Sequence, residues 1–160
     1  MNDRRVSVSK LTWGAVVGAL YVVLTSVSAA FGLSSGVIQI RLSEALCVMP
    51  VYSSSAVGGL FVGCILANLF TGCSLPDIIF GSIATLIGSL GAYALRKHKY
   101  LAFVPNVVAN TIIIPIVLVR FYKITDAIYY IVFTVGIGEI ISSGVLGFVV
   151  INIMKRIRNN

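Results

Sequence analysis

The stretch AIYYIVFTVGIGEIISSGVLGFVVINIM, residues 127–154, runs for 28 residues with a single charged side chain, Glu139. A helix needs about 20 predominantly apolar residues to cross the hydrocarbon core of a bilayer, so this stretch reads as a transmembrane helix with length to spare. Its outer end is expected to tilt or to project above the lipid. Four more apolar stretches precede it, at residues 11–37, 45–71, 78–95 and 101–119. The chain as a whole is 58% hydrophobic and 11% charged, with a mean hydropathy of +1.02, whereas a soluble domain carries about a quarter charged side chains. The composition predicts an all-α membrane protein, with residues 1–160 forming one transmembrane domain and no room for a soluble catalytic domain.

The first stretch exceeds the roughly 7 to 15 residues of a signal-peptide core and is expected to be retained as a helix. The second contains Pro50 followed by Ser53, Ser54 and Ser55. Proline removes a backbone donor and serines cap a new start, so a break is expected there. It leaves a short helix near residues 43–52 and a fuller one near 56–71. Basic residues choose between five spans and six. Six spans with both ends inside place Arg4, Arg5, Lys10, Arg96, Lys97, Lys99, Lys155, Arg156 and Arg158 on the inner side, against Arg41, Arg120 and Lys123 outside. Five spans divide the same residues seven to five, so six is the reading. The short helix would rise only about 15 Å as an α-helix, half the core of the bilayer. Part of residues 32–42 is therefore expected to re-enter the protein, which is allowed where irregular backbone lines a cavity. Trp13 at the inner boundary and Tyr122, Tyr129 and Tyr130 at the outer one suit interfacial belts.

The formal charge of +7 lies in short clusters beside apolar segments, which suits membrane orientation and not nucleic-acid binding. Cys47, Cys64 and Cys73 form no C-x-x-C pair and read as small buried hydrophobes. The one histidine, His98, sits in a basic cluster, and no hydrolase constellation, metal-ligand set or P-loop can be assembled. No catalytic residue and no cofactor is expected, and active transport would need an ion gradient or a partner.

Helices in lipid associate through small residues four apart. Such pairs are Gly14 with Gly18, Ala15 with Ala19, Gly59 with Gly63, Gly88 with Ala92, and Ser143 with Gly147. The first helix offers two small faces where a bundle needs one, so its spare face is a candidate for docking another membrane protein. Asp77 and Asp126 stand at helix starts, where a carboxylate complements the positive helix end. Glu44, in the first turn of the short helix, suits capping or ligand contact equally. Glu139 has no such explanation, lying thirteen residues into its span just after Gly136 and Gly138. A charge at that depth costs at least about 2.5–3.5 kcal/mol unless it meets a cavity or a partner. Asn68, Asn106 and Asn110 also lie inside apolar segments, the last two one helical turn apart on a shared face, and Gln39 and Arg41 stand in the loop before the short helix.

The strings QIRLSEAL (39–46), GLFVGCILAN (59–68), DIIFGSIATLIG (77–88), NVVAN (106–110) and GIGEIISSGVLG (136–147) resemble, in order and over most of the chain, the QueT family of queuosine-precursor transporters. That family is similar to the substrate-binding S components of energy-coupling factor (ECF) importers. The resemblance implies a six-helix S-component bundle with a short second helix and both termini inside. It further implies substrate capture at the outer face, with a transmembrane coupling protein and two cytoplasmic ATPases as partners. By motif it carries substrate binding to Gln39, Arg41, Glu44, Asn106, Asn110 and Glu139, with Asn68 as a further candidate, and contact with the coupling protein to Ala15 and Ala19. The implied ligand is a 7-deazaguanine, the cyano or the aminomethyl precursor of queuosine. A carboxylate at Glu139 can accept the adjacent N–H donors of a guanine-like edge, and an aminomethyl cation would want a second acid, with Glu44 as the candidate. Three alternatives stay open on the residues alone: an S component for another vitamin or purine-like ligand, a stand-alone proton-coupled transporter with Glu139 as its titrating group, and a membrane subunit without a ligand.

Overall fold

The structure is a computed structural model that describes residues 2–33, 38–123 and 127–159. The described residues form helices and no strands. The α-helices are α1 (Asn2–Ala30), α2 (Ser55–Phe70), α3 (Ser82–Ala94), α4 (Val104–Tyr122), α5 (Ile128–Glu139) and α6 (Leu146–Asn159). A 3-10 helix, Leu42–Val51, stands between α1 and α2. A π-helical turn, Asp77–Gly81, leads into α3, and a second, Ile140–Val145, joins α5 to α6 in one continuous rod. Four segments among these residues are long and apolar enough to cross a membrane: Val8–Ala30, Asp77–Ala94, Lys99–Tyr122 and Ile128–Asn159. The chain is a multi-pass membrane protein.

Its burial pattern is that of a protein dissolved in lipid. Large apolar side chains face outward, with Leu11 75%, Phe70 73% and Phe133 66% exposed, while Glu44, Asn68, Asn106 and Asn110 are buried. In hydrocarbon an exposed Leu costs nothing and an exposed amide several kcal/mol, so the polar residues turn inward.

The helix ends follow local rules. Gly32 and Gly72 adopt φ of 68° and 71°, the left-handed conformation that glycine enters without a Cβ penalty, just beyond α1 and α2. Pro50 and the serines end the short helix and start α2 at Ser55, as the sequence predicts. The short helix is wound as a 3-10 helix, which rises about 2.0 Å per residue and so reaches about 20 Å rather than 15 Å. Residues Ser43 to Val51 of it are all buried. It occupies the centre of the bundle, packed by α1, α2, α3 and α6.

Close backbone approach sets the crossing of α1 and α2. A Cβ on Gly14 would stand 2.7 Å from the Ser55 carbonyl oxygen, and one on Gly18 2.7 Å from that of Gly59. Residue numbers rise together along the two helices, which therefore run parallel, with the 3-10 helix returning between them. Behind this seam Val17, Tyr21, Leu46, Cys47, Leu60 and Cys64 form the apolar core. Gly14, Gly18, Gly59 and Gly63 are thus consumed by internal packing, while Ala15 and Ala19 stay exposed at the edge of the same α1–α2 seam. Asp126, read above as a helix start, lies outside the described residues, as do residues 34–37 of the expected re-entrant loop.

Candidate functional site

Glu44 enters the site from the first turn of the 3-10 helix. Its Oε1 accepts the Tyr21 hydroxyl at 2.5 Å, and its Oε2 accepts the Cys47 thiol at 3.2 Å and Asn106 Nδ2 at 2.9 Å. The residue is 2% exposed, so these three donors replace the water it gives up. Asn106 Nδ2 also donates to Glu139 Oε2 at 3.3 Å. One amide therefore bridges two carboxyl groups, one from the centre of the bundle and one from the last rod. Beside this bridge α3 passes close to α4 at Gly88, where a Cβ would meet the Asn106 Cα at 2.7 Å.

The loop before the 3-10 helix is held over this pair. Arg41 N donates to Ser142 Oγ at 3.1 Å and Leu42 N to Ser28 Oγ at 2.9 Å. Thr25 Oγ1 bonds Ser43 Oγ at 2.8 Å. Gly138 allows α5 to press against the carbonyl of Gln39, which fills the space a side chain would take. The space beside Glu139 left by the missing side chain of Gly138 is thus taken by the protein's own backbone. The Ile140–Val145 turn begins directly after Glu139 and carries Ser142; such insertions displace side chains from the regular helical register and recur at functional sites.

Two neighbouring cavities open here. The smaller, about 20 Å³, is lined by Gln39, Arg41, Asn110, Ile114, Val135 and Glu139. The larger, about 280 Å³, shares Gln39, Arg41 and Ile114 with it and adds Thr25, Asn68, Asp77 and Tyr122 among others. Among the described residues, Asn110 Nδ2 is buried beside Glu139 with no acceptor at hydrogen-bond geometry, and Asn106 Oδ1 is buried with no donor. Buried polar atoms are nearly always paired, so an unpaired amide beside a cavity is a candidate point of contact for a polar guest. Tyr122 OH donates to Asp77 Oδ2 and lies 2.7 Å from Ser74 Oγ, tying the end of α4 to the loop at the mouth of the larger cavity.

The structure thus brings Gln39, Arg41, Asn68, Asn110 and Glu139 to the cavity walls. Glu44 and Asn106 lie beneath, in contact with Glu139 but not lining either cavity. Asp77, read from the sequence as a helix-start residue, makes side-chain bonds to Tyr122 and Ser74 and lines the larger cavity. Nothing in the sequence marks Tyr21, Thr25, Ser142 and Tyr122 as site residues, because hydroxyls inside apolar segments are ordinary packing groups until their partners are known.

The sequence profile of the family described as QueT transporter matches residues 11–156. The chain belongs to the QueT transporter family. It is 33% identical over 86 residues to the queuosine precursor transporter QueT of Lactococcus lactis subsp. cremoris (strain MG1363), a match covering 53% of this chain and 50% of that protein. The chain thus spans about half the length of that relative. No solved structure matches the chain. In this QueT family member both carboxylates, both α4 amides and the loop residues Gln39 and Arg41 fall inside the matched residues, as do Ala15 and Ala19.

Proposed function

We propose that this chain is the substrate-capture S component of an ECF-type importer and binds a queuosine precursor, a 7-deazaguanine, for uptake. Six membrane-embedded segments with both termini inside are part of the proposal, the 3-10 helix serving as the second. The polar cavity beside Glu139 then opens outward, and the 95–101 loop and both ends of the chain face the cytoplasm.

The observation that carries the reading is the unpaired Asn110 Nδ2 beside Glu139 in the wall of a cavity that also presents Gln39 and Arg41. A guanine-like edge supplies what these groups lack. Its ring and exocyclic N–H donors suit the Glu139 carboxylate, and its carbonyl oxygen suits Asn110 Nδ2. The larger cavity, about 280 Å³, falls just under the roughly 300–1,000 Å³ of small-ligand sites, and a flat heterocycle seated there reaches Glu139 and Asn110 through the wall of Gln39, Arg41 and Ile114 that it shares with the 20 Å³ pocket. Glu44 is already engaged by three internal donors, whereas Asp77 lines the larger cavity, so Asp77 is the better candidate for the counter-charge to an aminomethyl group.

Titration calorimetry of the purified chain with 7-cyano- and 7-aminomethyl-7-deazaguanine tests the proposal. Micromolar or tighter binding is expected, weakened about 100-fold in Glu139→Gln, which corresponds to about 2.7 kcal/mol. Unchanged binding in that variant removes Glu139 from the site, and no binding of either compound removes the ligand class. A second reading, a stand-alone proton-coupled transporter, is favoured by the two carboxyl groups sharing the Asn106 amide. Uptake into vesicles holding this chain alone, driven by a proton gradient, would select it.

Ala15 and Ala19 form the proposed contact with the transmembrane coupling protein. They are exposed beside Gly14 and Gly18 on a groove of about 750 Å³ between α1 and α2, lined by small residues that permit a partner helix to approach closely. Two cytoplasmic ATPases would complete the importer, since this sequence has no P-loop of its own.

A further inference from the structure

We infer that the end of the bundle opposite the Glu139 cavity holds a binding site for the head group of an anionic phospholipid, whatever the chain transports. A cavity of about 620 Å³ lies there between the 97–101 segment and the end of α6, and Lys97, Lys99, Lys155 and Arg158 all line it. These four cations come from segments more than fifty residues apart, and no carboxylate side chain is among the described lining residues. A charge bias that only orients the chain needs basic residues near the span ends; it does not need them to converge on one hollow.

The hollow has a fixed wall. Tyr52 OH donates to the Ile151 carbonyl at 3.1 Å, and Lys99 Nζ stands 4.9 Å from the centre of the Tyr52 ring. The Tyr100 ring stacks on Phe148 at 5.5 Å. Leu101 lines the cavity and is 54% exposed, and Phe148, beneath Tyr100, is 38% exposed. Cationic groups above and apolar surface below match a phosphodiester with acyl chains attached; a free phosphate would have no use for the apolar rim.

A second cavity, about 730 Å³, shares Tyr52 and Arg158 with the first and adds Lys10, Ser53 and Trp13. The indole N–H of Trp13 is buried and finds no acceptor among the described residues. An ester carbonyl or phosphate oxygen of a lipid seated across the two hollows supplies one.

The test uses the full chain, delipidated in detergent and titrated by native mass spectrometry with phosphatidylglycerol or phosphatidylcholine of identical acyl chains. The expected result is at least tenfold preference for phosphatidylglycerol. That preference is lost in Lys99→Gln/Arg158→Gln and in Lys97→Gln/Lys155→Gln, and kept in Arg120→Gln/Lys123→Gln, which removes the same charge from the opposite end. Equal retention of the two lipids overturns the inference, as does equal loss in all three double variants, which would mean undirected charge attraction. Displacement of the lipid by millimolar inorganic phosphate or by an acidic peptide would also overturn it, by making the site one for a small anion or a protein partner.

Discussion

Glu44 shows how much a single buried acid depends on its neighbours. Its two oxygens serve Tyr21, Cys47 and Asn106, and removing an acceptor leaves each donor with a desolvation cost of about 1–3 kcal/mol. Glu44→Ala is expected to lower stability by about 3 kcal/mol or more, and Glu44→Gln by less, because an amide carbonyl still accepts. Thermal unfolding in detergent reads the difference, and equal loss in both would show that the charge rather than the acceptor matters. Tyr122 plays a different part. Its bond to Asp77 ties two segments at the cavity mouth, so Tyr122→Phe is expected to speed release of a bound 7-deazaguanine several-fold with little change in unfolding temperature. Stopped-flow release kinetics check this. The roles of Glu44 and Tyr122 were hidden in the sequence. A glutamate after a serine in a first turn looks like a cap, and a tyrosine at a span end looks like an interfacial anchor; only the partner across the fold distinguishes the readings.

At the scale of elements, the crossing of α1 and α2 is decided by whether a Cβ fits. One placed on Gly59 would collide with the backbone of Gly14, whereas Gly58, one residue earlier, has nothing within 4 Å. Gly59→Ala is expected to destabilise the protein by about 1–3 kcal/mol through forced separation of the helices. Gly58→Ala is expected to be neutral or to stabilise by up to about 1 kcal/mol, as alanine is the better helix former. Paired melting curves test both, and equal shifts would mean that the close packing is not the cause. Small residues four apart were visible in the sequence, yet two such faces stood on α1, at Gly14 with Gly18 and at Ala15 with Ala19. Periodicity cannot say which of two suitable faces meets α2, because that depends on the partner's own small residues, Gly59 and Gly63.

For the molecule as a whole, the exposed alanine face of α1 is the test of assembly. Ala15→Leu/Ala19→Leu is expected to abolish co-purification with a coupling protein while leaving 7-deazaguanine binding unchanged; retained co-purification would move the contact elsewhere. The membrane class, the apolar stretches, the break after Pro50 and the singularity of Glu139 were all legible in the amino-acid order. These follow from hydropathy, proline chemistry and the cost of a charge in oil, each of which acts locally and can be summed along the chain. The 3-10 winding of Leu42–Val51, its place at the centre of the bundle and the sharing of the Asn106 amide by Glu44 and Glu139 were not legible. They link residues 62 and 33 positions apart, and such distant groups meet only once every helix has chosen its neighbours. The sequence by itself determined that this chain lives in lipid and carries a carboxyl group deep in its last apolar stretch. Tertiary packing alone decided what that carboxylate touches, because a hydrogen bond depends on the positions of both its ends.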